Sequence, residues 1–252
     1  MEARDHDLDA VPGTRPKREV GGMISPTTPS GRFVVFEGGE GSGKSTQAAR
    51  LARRLGAVLT REPGGTPIGS ALRALLLDAR TSGLDYRAEA LLMAADRAQH
   101  VAEVVRPALA AGRHVVSDRY VGSTLAYQGF GRGLPVDDLR RLSGWAAAGL
   151  VPDVVVLLDV PRELGSTRAA GRPDPEPDRL EAAGDGFHDR VMRGYRELAA
   201  ADPSHWVVVD GTAPADDVEA VVWKSVVARC PELARRVGGG PSAGGEPSGL
   251  RS

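Results

Sequence analysis

The sequence predicts an α/β fold in which a five-stranded parallel sheet carries helices on both faces. Three observations lead to this prediction. Short apolar segments alternate along the chain with longer segments of helical period, and strands that are separated by helices form parallel sheets. Val154–Leu158 is apolar without interruption, as expected of a strand buried on both faces. Phe33–Glu37 leads directly into a glycine-rich loop that is followed by a helical pattern.

The predicted elements follow one another in a regular order. The segments with the length and composition of strands are Phe33–Glu37, Ala57–Thr60, His114–Ser117, Val154–Leu158 and Trp206–Val209. The segments with a helical pattern are Lys44–Leu55, Pro67–Leu77, Asp85–Ala110, Asp137–Ala147, Arg162–Ala170, Phe187–Ala201 and Ala215–Ala228. Because ligands of open α/β sheets bind beyond the carboxyl ends of the strands, functional residues are expected in the segments that follow each strand.

The folded domain is expected to span residues 32–237 of the 252-residue chain. Residues 1–31 are rich in proline, glycine, threonine and charge without apolar periodicity, which predicts a disordered leader. Residues 238–252 are rich in glycine, proline and serine, which predicts a disordered tail. Within the domain, we expect a mobile lid at about residues 166–181, where arginines lie among glycine and proline.

Composition excludes several classes of protein. The net charge of −1 argues against a general nucleic-acid binder. Cys230 is the only cysteine, which favours a reducing, cytoplasmic setting. No apolar run approaches the roughly 18 residues of a membrane span, and the N-terminus lacks the apolar core of a secretory signal. We therefore expect small-molecule partners rather than a nucleic acid or a membrane.

The strongest motif is the loop that follows the first strand. Its spacing, G-x-x-x-x-G-K-[ST], is that of a phosphate-binding loop, in which backbone N–H groups and a helix N-terminus face an anion. The lysine can reach the β- and γ-phosphates of ATP, and the serine hydroxyl can bind Mg²⁺. The predicted cofactor-binding residues are Gly38, Gly39, Glu40, Gly41, Ser42, Gly43, Lys44, Ser45 and Thr46.

Charged pairs follow the second and third strands. Arg61 and Glu62 precede a Pro-Gly-Gly turn, where they suit either a phosphate or metal-water contact or an ordinary solvated turn. Asp118 ends the third strand, in a position typical of an acid that acts on Mg²⁺. Arg119 beside it can bridge phosphates, since a guanidinium forks onto oxyanions. The alternative is a structural Asp–Arg pair.

Two further segments complete the candidate site. Ser123, Thr124, Tyr127 and Gln128 supply hydroxyl and amide groups near the same sheet edge, and a glutamine can offer a donor and an acceptor to a pyrimidine. The alternative is an ordinary polar helix start. The expected lid carries arginines that can stabilise a phosphoryl group in transfer, or that simply make a basic exposed loop. These arginines are Arg168, Arg172 and Arg179.

Together the motifs resemble those of the thymidylate kinase family, nucleoside monophosphate kinases that phosphorylate dTMP. The similarity covers about residues 33–225 and rests on five motifs in the family's order. They are Phe-Glu-Gly-Gly-Glu-Gly-Ser-Gly-Lys-Ser-Thr at 36–46, Thr-Arg-Glu-Pro-Gly-Gly-Thr at 60–66, Ala-Ala-Asp-Arg-Ala-Gln-His at 94–100, Asp-Arg-Tyr at 118–120 and Ser-Thr-Leu-Ala-Tyr-Gln-Gly at 123–129. The resemblance implies the P-loop nucleoside monophosphate kinase fold and commonly a homodimer formed through helices.

The resemblance also implies roles for individual residues. Lys44 and Ser45 would hold the ATP phosphates and Mg²⁺, and Glu40 would lie near the acceptor sugar. The acceptor phosphate would be bound by Arg73 and Arg119. The thymine edge would be hydrogen-bonded by Arg97 and Gln128, and Ser123, Thr124 and Tyr127 would complete the pocket. Arg168 and Arg172 resemble the lid arginines of the bacterial subclass, whose phosphate loop lacks a catalytic arginine.

One position departs from the family pattern. The family usually has a phenylalanine that stacks on thymine four residues before the base-binding arginine, where this chain has Met93. A methionine contacts a ring through a polarisable sulfur but cannot reproduce aromatic stacking. The departure leaves open a paralogue that acts on dUMP or a modified pyrimidine nucleotide. A non-catalytic ATP-binding module is disfavoured, because Asp118 and the lid arginines are present.

Overall fold

The computed structural model describes residues 31–171 and 178–236. The predicted leader apart from Gly31, the predicted tail, and Arg172 with the centre of the expected lid lie outside these residues. The described part contains one parallel sheet in the strand order β2-β3-β1-β4-β5. The strands are β1 (Phe33–Glu37), β2 (Val58–Arg61), β3 (Val115–Asp118), β4 (Val154–Asp159) and β5 (Trp206–Asp210). The predicted five-stranded parallel sheet is confirmed.

Helices cover both faces of the sheet. They are α1 (Lys44–Leu55), α2 (Pro67–Leu77), α3 (Tyr86–His100), α4 (Arg106–Ala110), α5 (Val121–Thr124), α6 (Val136–Ala146), α7 (Arg162–Ala170), α8 (Asp185–Ala201), α9 (Ala215–Arg229) and α10 (Glu232–Arg236). Two π-helical segments, Val101–Val105 and Leu125–Gly131, and a 3₁₀ turn at Glu181–Ala183 complete the helical structure. None of the described helices combines the length and apolar character needed to cross a membrane.

The long helix predicted over Asp85–Ala110 is interrupted. α3 passes into the π-helical segment Val101–Val105, and α4 resumes at Arg106. Pro107 lies just beyond the π segment, and proline cannot donate the backbone hydrogen bond that a regular helix needs. The sequence analysis did not predict α5, the second π segment or α10.

The core lies on both faces of the sheet because successive side chains of a strand alternate in direction. Val34 and Phe36 of β1 pack with apolar residues of α1 and α9. Phe33 and Val35 point the other way, toward Tyr120 and the π segment after α3. All five residues of β1 are buried, which explains why the strand reads as continuously apolar until Glu37.

A close contact joins α8 to the second π segment. A Cβ atom at Gly194 would lie 2.5 Å from the ring and 2.8 Å from the Cβ of Phe130, so no larger residue fits without movement of the helix or the ring. Tyr195 follows Gly194 directly, and Tyr127 and Gln128 lie in the π segment. The small residue at 194 therefore sets the distance between two elements that both reach the sheet edge.

A pair of helical glycines tests this packing. We expect Gly194→Ala to lower the free energy of unfolding because the added methyl overlaps Phe130. The matched control is Gly144→Ala in α6, where no atom lies within 4 Å of the added methyl. There alanine should raise the free energy of unfolding by roughly 0.5–1 kcal/mol, through its better helix propensity. Denaturant unfolding measures both, and equal stabilisation by the two variants would contradict the contact.

Candidate functional site

A cleft of about 670 Å³ opens at the carboxyl edge of the sheet. Most of the site residues predicted from the sequence line it. They are Glu40, Gly41, Gly43, Lys44, Ser45, Thr46, Arg61, Glu62, Arg73, Met93, Arg97, Asp118, Arg119, Ser123, Thr124, Tyr127, Gln128 and Arg168. Gly38, Gly39 and Ser42 belong to the loop but do not line the cleft, and Arg172 is outside the described residues.

The phosphate loop has the backbone shape that its glycines allow. Gly41 and Gly43 have φ values of 65° and 91°, a region that other residues rarely adopt. Lys44 is 5% exposed, and its Nζ donates to the Gly39 carbonyl at 2.6 Å and the Ser42 hydroxyl at 3.4 Å. Burial lowers the pKa of Lys44 to about 8, and the charge of Arg119 contributes to the same shift. The lysine is thus desolvated before any anion arrives.

The loop touches the helix that leads into the expected lid. A Cβ at Gly41 would overlap the carbonyl of Gly165, and a Cβ at Gly165 would lie 2.5 Å from the carbonyl of Glu40. Farther along α7, Arg168 donates to the Gly211 and Thr212 carbonyls at 2.8 and 3.1 Å. The start of α7 is therefore packed backbone to backbone on the phosphate loop.

Ser45 and Asp118 meet at the mouth of the loop. The Ser45 hydroxyl donates to Oδ2 of Asp118 at 2.5 Å. The other carboxylate oxygen, Oδ1, is buried and has no hydrogen-bond partner in the described part of the chain. A buried carboxylate oxygen without a partner is costly unless a ligand completes it, so this pair has capacity for a further polar ligand or a cation.

Glu37, at the end of β1, is fully buried and was not predicted as a site residue. Its carboxylate accepts from the backbone N–H groups of Tyr120 and Ser123 at 3.0 Å, from the Ser123 hydroxyl at 2.6 Å and from the Tyr195 hydroxyl at 3.1 Å. Burial raises the pKa of Glu37, and these hydrogen bonds oppose the rise. The carboxylate joins β1 to α5 and α8.

Arg119 lies in the middle of the cleft with a left-handed backbone, at φ 75°. Its guanidinium donates to the Gly38 carbonyl, to Oε2 of Glu40 and to the hydroxyls of Ser123, Tyr127 and Tyr195, at 3.1 to 3.2 Å. Its Cζ also lies 5.0 Å from the centre of the Tyr127 ring. Burial raises the pKa of the Tyr127 hydroxyl, which keeps it neutral. The arginine connects the phosphate loop with the polar segment after β3.

Arg97 is 2% exposed and is held by four groups. Its Nε donates to Oε2 of Glu62 at 2.9 Å and its Nη1 to the Ser143 hydroxyl at 3.2 Å. Its Nη2 donates to the Tyr120 carbonyl and the Thr124 hydroxyl, both at 3.0 Å. A guanidinium has five N–H groups, so one on Nη1 is left to face the cleft that Arg97 lines.

Glu62 ties this arginine to the sheet edge. Its second carboxylate oxygen, Oε1, lies 2.8 Å from Nδ1 of His100, and the other ring nitrogen of His100 is 2.7 Å from the Thr60 hydroxyl. Glu62 and His100 are buried. Both oxygens of the Glu62 carboxylate therefore bond to protein groups, although the residue lines the wall of the cleft.

Positive charge without an acidic partner collects on one side of the cleft. Within the described ranges, Arg61 and Arg73 form no ion pair, and Arg73 donates only to the Pro63 carbonyl, at 3.1 Å. Burial lowers the pKa of Arg73, and the charge of Arg61 lowers it further. Two guanidinium groups that lie close together and form no ion pair with a described residue favour an anionic ligand.

Met93 and Gln128 form another part of the cleft wall. Met93 is half-buried and packs against the apolar cluster that includes Tyr127 and Leu180. Gln128 is 1% exposed, and its Nε2 donates to Oε1 of Glu89 at 2.8 Å. This part of the wall thus combines the apolar, sulfur-containing side chain of Met93 with the amide of Gln128, which is hydrogen-bonded to the buried Glu89 carboxylate.

Several residues of the site were not predicted. Glu37 carries the same signal as Asp118, because each is an acid at the end of an apolar strand. Glu89 and His100 lie on α3, on roughly the same side of the helix as Arg97. Their spacing from Arg97 along the sequence, in multiples of about one helical turn, indicates this shared face. Tyr195 and Ser143 reach the site from distant helices, and local sequence patterns give no sign of them.

Comparison with known proteins agrees with this geometry. A family model described as Thymidylate kinase matches residues 36–222. The thymidylate kinase of Solidesulfovibrio magneticus is 54% identical, over 76% of this chain and 96% of that protein. The thymidylate kinase of Deinococcus radiodurans is 48% identical, over 79% of this chain and 98% of that protein.

A solved structure extends the comparison to the fold. The crystal structure of thymidylate kinase from Ehrlichia chaffeensis superposes with a TM-score of 0.64 at 31% identity, over 79% of this chain and 99% of that one. The family match, the relatives that align over nearly their full length and the shared fold lead to one conclusion: this chain belongs to the thymidylate kinase family.

Proposed function

We propose that this protein transfers the γ-phosphoryl group of ATP to the 5′-phosphate of dTMP, giving ADP and dTDP. Its family consists of nucleoside monophosphate kinases, which are phosphotransferases. The observation that carries the proposal is one cleft lined by the phosphate loop, by Arg61 and Arg73, which form no ion pair with any described residue, and by Met93, Arg97 and Gln128. Such a cleft suits two nucleotides that meet at their phosphates.

The donor side is the loop and the first turn of α1. Lys44 gives up its contact with the Gly39 carbonyl to hold the β- and γ-phosphates, and the N-terminus of α1 faces the same anion. Because Lys44 is already buried, little solvent has to be removed when the phosphates bind. Arg168 on α7, with Arg172 beyond it, is proposed to neutralise charge on the transferring group.

Mg²⁺ belongs to the proposal as the partner of the ATP phosphates. Ser45 and Asp118 fit it, because a hydroxyl and a carboxylate oxygen without a partner lie side by side at the loop. The described residues hold no cluster of three or more potential metal-ligating side chains. That suits Mg²⁺, which is usually bound through one or two carboxylates together with phosphate oxygens. When bound, the ion would draw negative charge from those oxygens.

The acceptor side is the arginine-rich wall and the Arg119 network. Arg73 and Arg119 are proposed to bind the 5′-phosphate, with Arg61 adding to the positive field. Glu40 and the Tyr127 hydroxyl both accept from Arg119, which leaves them beside the expected position of the sugar. These groups fix the acceptor oxygen in line with the γ-phosphorus, and positioning is a large part of phosphoryl-transfer catalysis.

The chemistry needs no covalent intermediate. An oxygen of the dTMP phosphate forms the new P–O bond as the bond between the γ-phosphorus and the β,γ-bridging oxygen breaks, and ADP leaves. The attacking oxygen is already anionic, so a strong general base is unnecessary. The residues therefore act mainly by alignment and by neutralising charge.

The base is proposed to be thymine. The free N–H of Arg97 and the amide of Gln128 offer a donor and an acceptor to the pyrimidine edge, and Met93 packs on the ring. The same two polar groups also suit uracil, so a nucleotide such as dUMP or a modified pyrimidine remains the second candidate. It is favoured by Met93, which supplies less ring contact than an aromatic residue.

Pairing of two copies is also part of the proposal. Ile68 and Leu75 on α2 are 56% and 47% exposed, and Leu91 on α3 is 57% exposed. The two helices pack against each other, and these exposed apolar side chains are proposed to belong to a surface that a second copy covers. The cytoplasmic setting inferred from the single cysteine stays a prediction.

Lys44→Ala tests the phosphate loop. We expect ADP production from ATP and dTMP to fall by roughly 100-fold or more, because the variant loses the charge that offsets the transferring phosphoryl group. Lys224→Ala is the matched control, since Lys224 lies exposed on α9 away from the cleft. A coupled ADP-release assay measures both, and near-normal turnover in Lys44→Ala would overturn the assignment.

Met93→Phe tests the identity of the base. If thymine stacks on this position, KM for dTMP should fall by roughly fivefold, because aromatic contact adds about 1 kcal/mol. Initial rates with dTMP, dUMP, dCMP and 5-substituted dUMP give the comparison. A KM for dTMP that is unchanged or raised favours the second candidate.

Leu91→Glu tests the pairing. A buried unpaired carboxylate disfavours an interface, so the variant should sediment as a monomer where the wild type sediments as a dimer. Val221→Glu is the control, because Val221 is 49% exposed on α9. Analytical ultracentrifugation decides between the two states, and a dimer that survives in Leu91→Glu excludes this surface.

A further inference from the structure

We propose that Glu89 is a positioning residue that sets the base specificity of the cleft by fixing the orientation of the Gln128 side-chain amide. The inference rests on the proposed function, because it concerns the pyrimidine that the same cleft binds. Glu89 lies in α3 and its side chain is fully buried. It was not among the site residues predicted from the sequence.

The carboxylate of Glu89 is surrounded by donors. Its Oε1 accepts from Nε2 of Gln128 at 2.8 Å and from Nε of Arg132 at 3.3 Å. Its Oε2 accepts from Nη2 of Arg132 at 3.3 Å and forms an ion pair with Nη2 of Arg179 at 2.7 Å. Two guanidinium groups thus offset the charge of a carboxylate that has no contact with solvent.

This environment allows only one orientation of the amide. An ionised carboxylate accepts hydrogen bonds and donates none, so Gln128 must turn its NH₂ group toward Glu89. A flipped amide would place two acceptors against each other in a buried site, which is strongly unfavourable. The carbonyl oxygen of Gln128 is therefore left for the cleft, and none of the described residues donates to it.

A fixed acceptor selects among pyrimidines. Thymine and uracil carry an N–H donor at ring position 3, which pairs with the Gln128 carbonyl. Cytosine has a lone pair at the same position, and it would face that carbonyl without a hydrogen. A site with a fixed polar group rejects the mismatched base because the group then stays unpaired. Without Glu89, the amide could turn and serve cytosine.

Both arginines are themselves held in place. The Cζ of Arg132 lies 4.9 Å from the ring centre of Tyr86 and 4.5 Å from that of Phe187. Nε of Arg179 donates to the Leu76 carbonyl at 2.8 Å, and its backbone N–H donates to the Leu77 carbonyl at 3.1 Å. Arg132 and Arg179 therefore fix the Glu89 carboxylate from two sides, and its position does not depend on a bound nucleotide.

The test compares dTMP with 5-methyl-dCMP, which keeps the methyl group and changes only the pairing edge. In Glu89→Gln, position 89 can donate as well as accept, so the Gln128 amide can flip. We expect the ratio of kcat/KM for dTMP to that for 5-methyl-dCMP to fall by roughly tenfold or more, the size of one oriented buried hydrogen bond. The KM for ATP should not change.

A double variant separates positioning from a general structural effect. In Gln128→Leu there is no amide to orient, so adding Glu89→Gln should leave the dTMP to 5-methyl-dCMP ratio where Gln128→Leu alone puts it. Independent, additive effects of the two substitutions would overturn the proposal, as would a folded Glu89→Gln enzyme with unchanged selectivity. Failure of the wild type to phosphorylate dTMP would instead refute the proposed function.

Thermal unfolding of each variant shows whether it is folded under the assay conditions. If Glu89→Gln alone unfolds, Glu89→Gln combined with Arg132→Met removes one negative and one positive charge together. It keeps an unbranched side chain against the Tyr86 and Phe187 rings. The same relaxed selectivity is expected from this pair. Retained selectivity in the folded pair contradicts the role assigned to Glu89.

Discussion

A carboxyl group buried at the end of β1 imposes the main constraint on this molecule. Glu37 has no access to solvent, so its oxygens must be satisfied by the protein. The donors come from the chain after β3 and from α8, two regions far apart in the sequence. The hydrogen bonds that satisfy Glu37 thereby fix Ser123 and Tyr195, and these two hydroxyls in turn hold Arg119. The hydrogen bonds that the buried Glu37 needs for the stability of the core thus also fix the position of Arg119 in the centre of the cleft.

The same arrangement recurs at Glu62 and Glu89. Each is a buried acid, and each holds a residue that lines the cleft, Arg97 in one case and Gln128 in the other. Such carboxylates stabilise little by themselves, because desolvation offsets much of the attraction. Their effect is to orient a neighbouring side chain. A side chain whose other polar atoms are hydrogen-bonded to the protein presents its remaining donor or acceptor at a defined position. Buried acids thus set the orientation of side chains that line the cleft.

The fold was largely predictable because it depends on local patterns. The bounds of β1, α1, α2 and α7 agree with the predicted segments, since glycine, proline and apolar periodicity mark them clearly. The phosphate loop was predictable for the same reason. The π-helical segments were missed, because a bulge in a helix leaves the apolar spacing nearly unchanged. The left-handed backbone of Arg119 was also missed, since such a conformation follows from tertiary constraints and not from residue type.

The candidate site was predictable only as a set of residues. Sequence order placed Arg97, Arg119 and Gln128 at one sheet edge, but it gave no indication of how many of their hydrogen bonds the protein itself uses. Those partners come from α6, α8 and α3, and which side chains of these helices meet is decided by packing across the whole domain. Tyr195 illustrates the limit, because its place on an amphipathic helix makes it indistinguishable from a core tyrosine until its neighbours are known.

The backbone contact between Gly41 and Gly165 has a mechanical consequence. Because neither position has room for a side chain, the first turns of α7 and the phosphate loop behave as one rigid piece. A ligand that orders the loop would stiffen the first turns of α7 at once, without touching them. The order of the loop and the position of Arg168 on α7 are in this way coupled through two glycines that have no side chain.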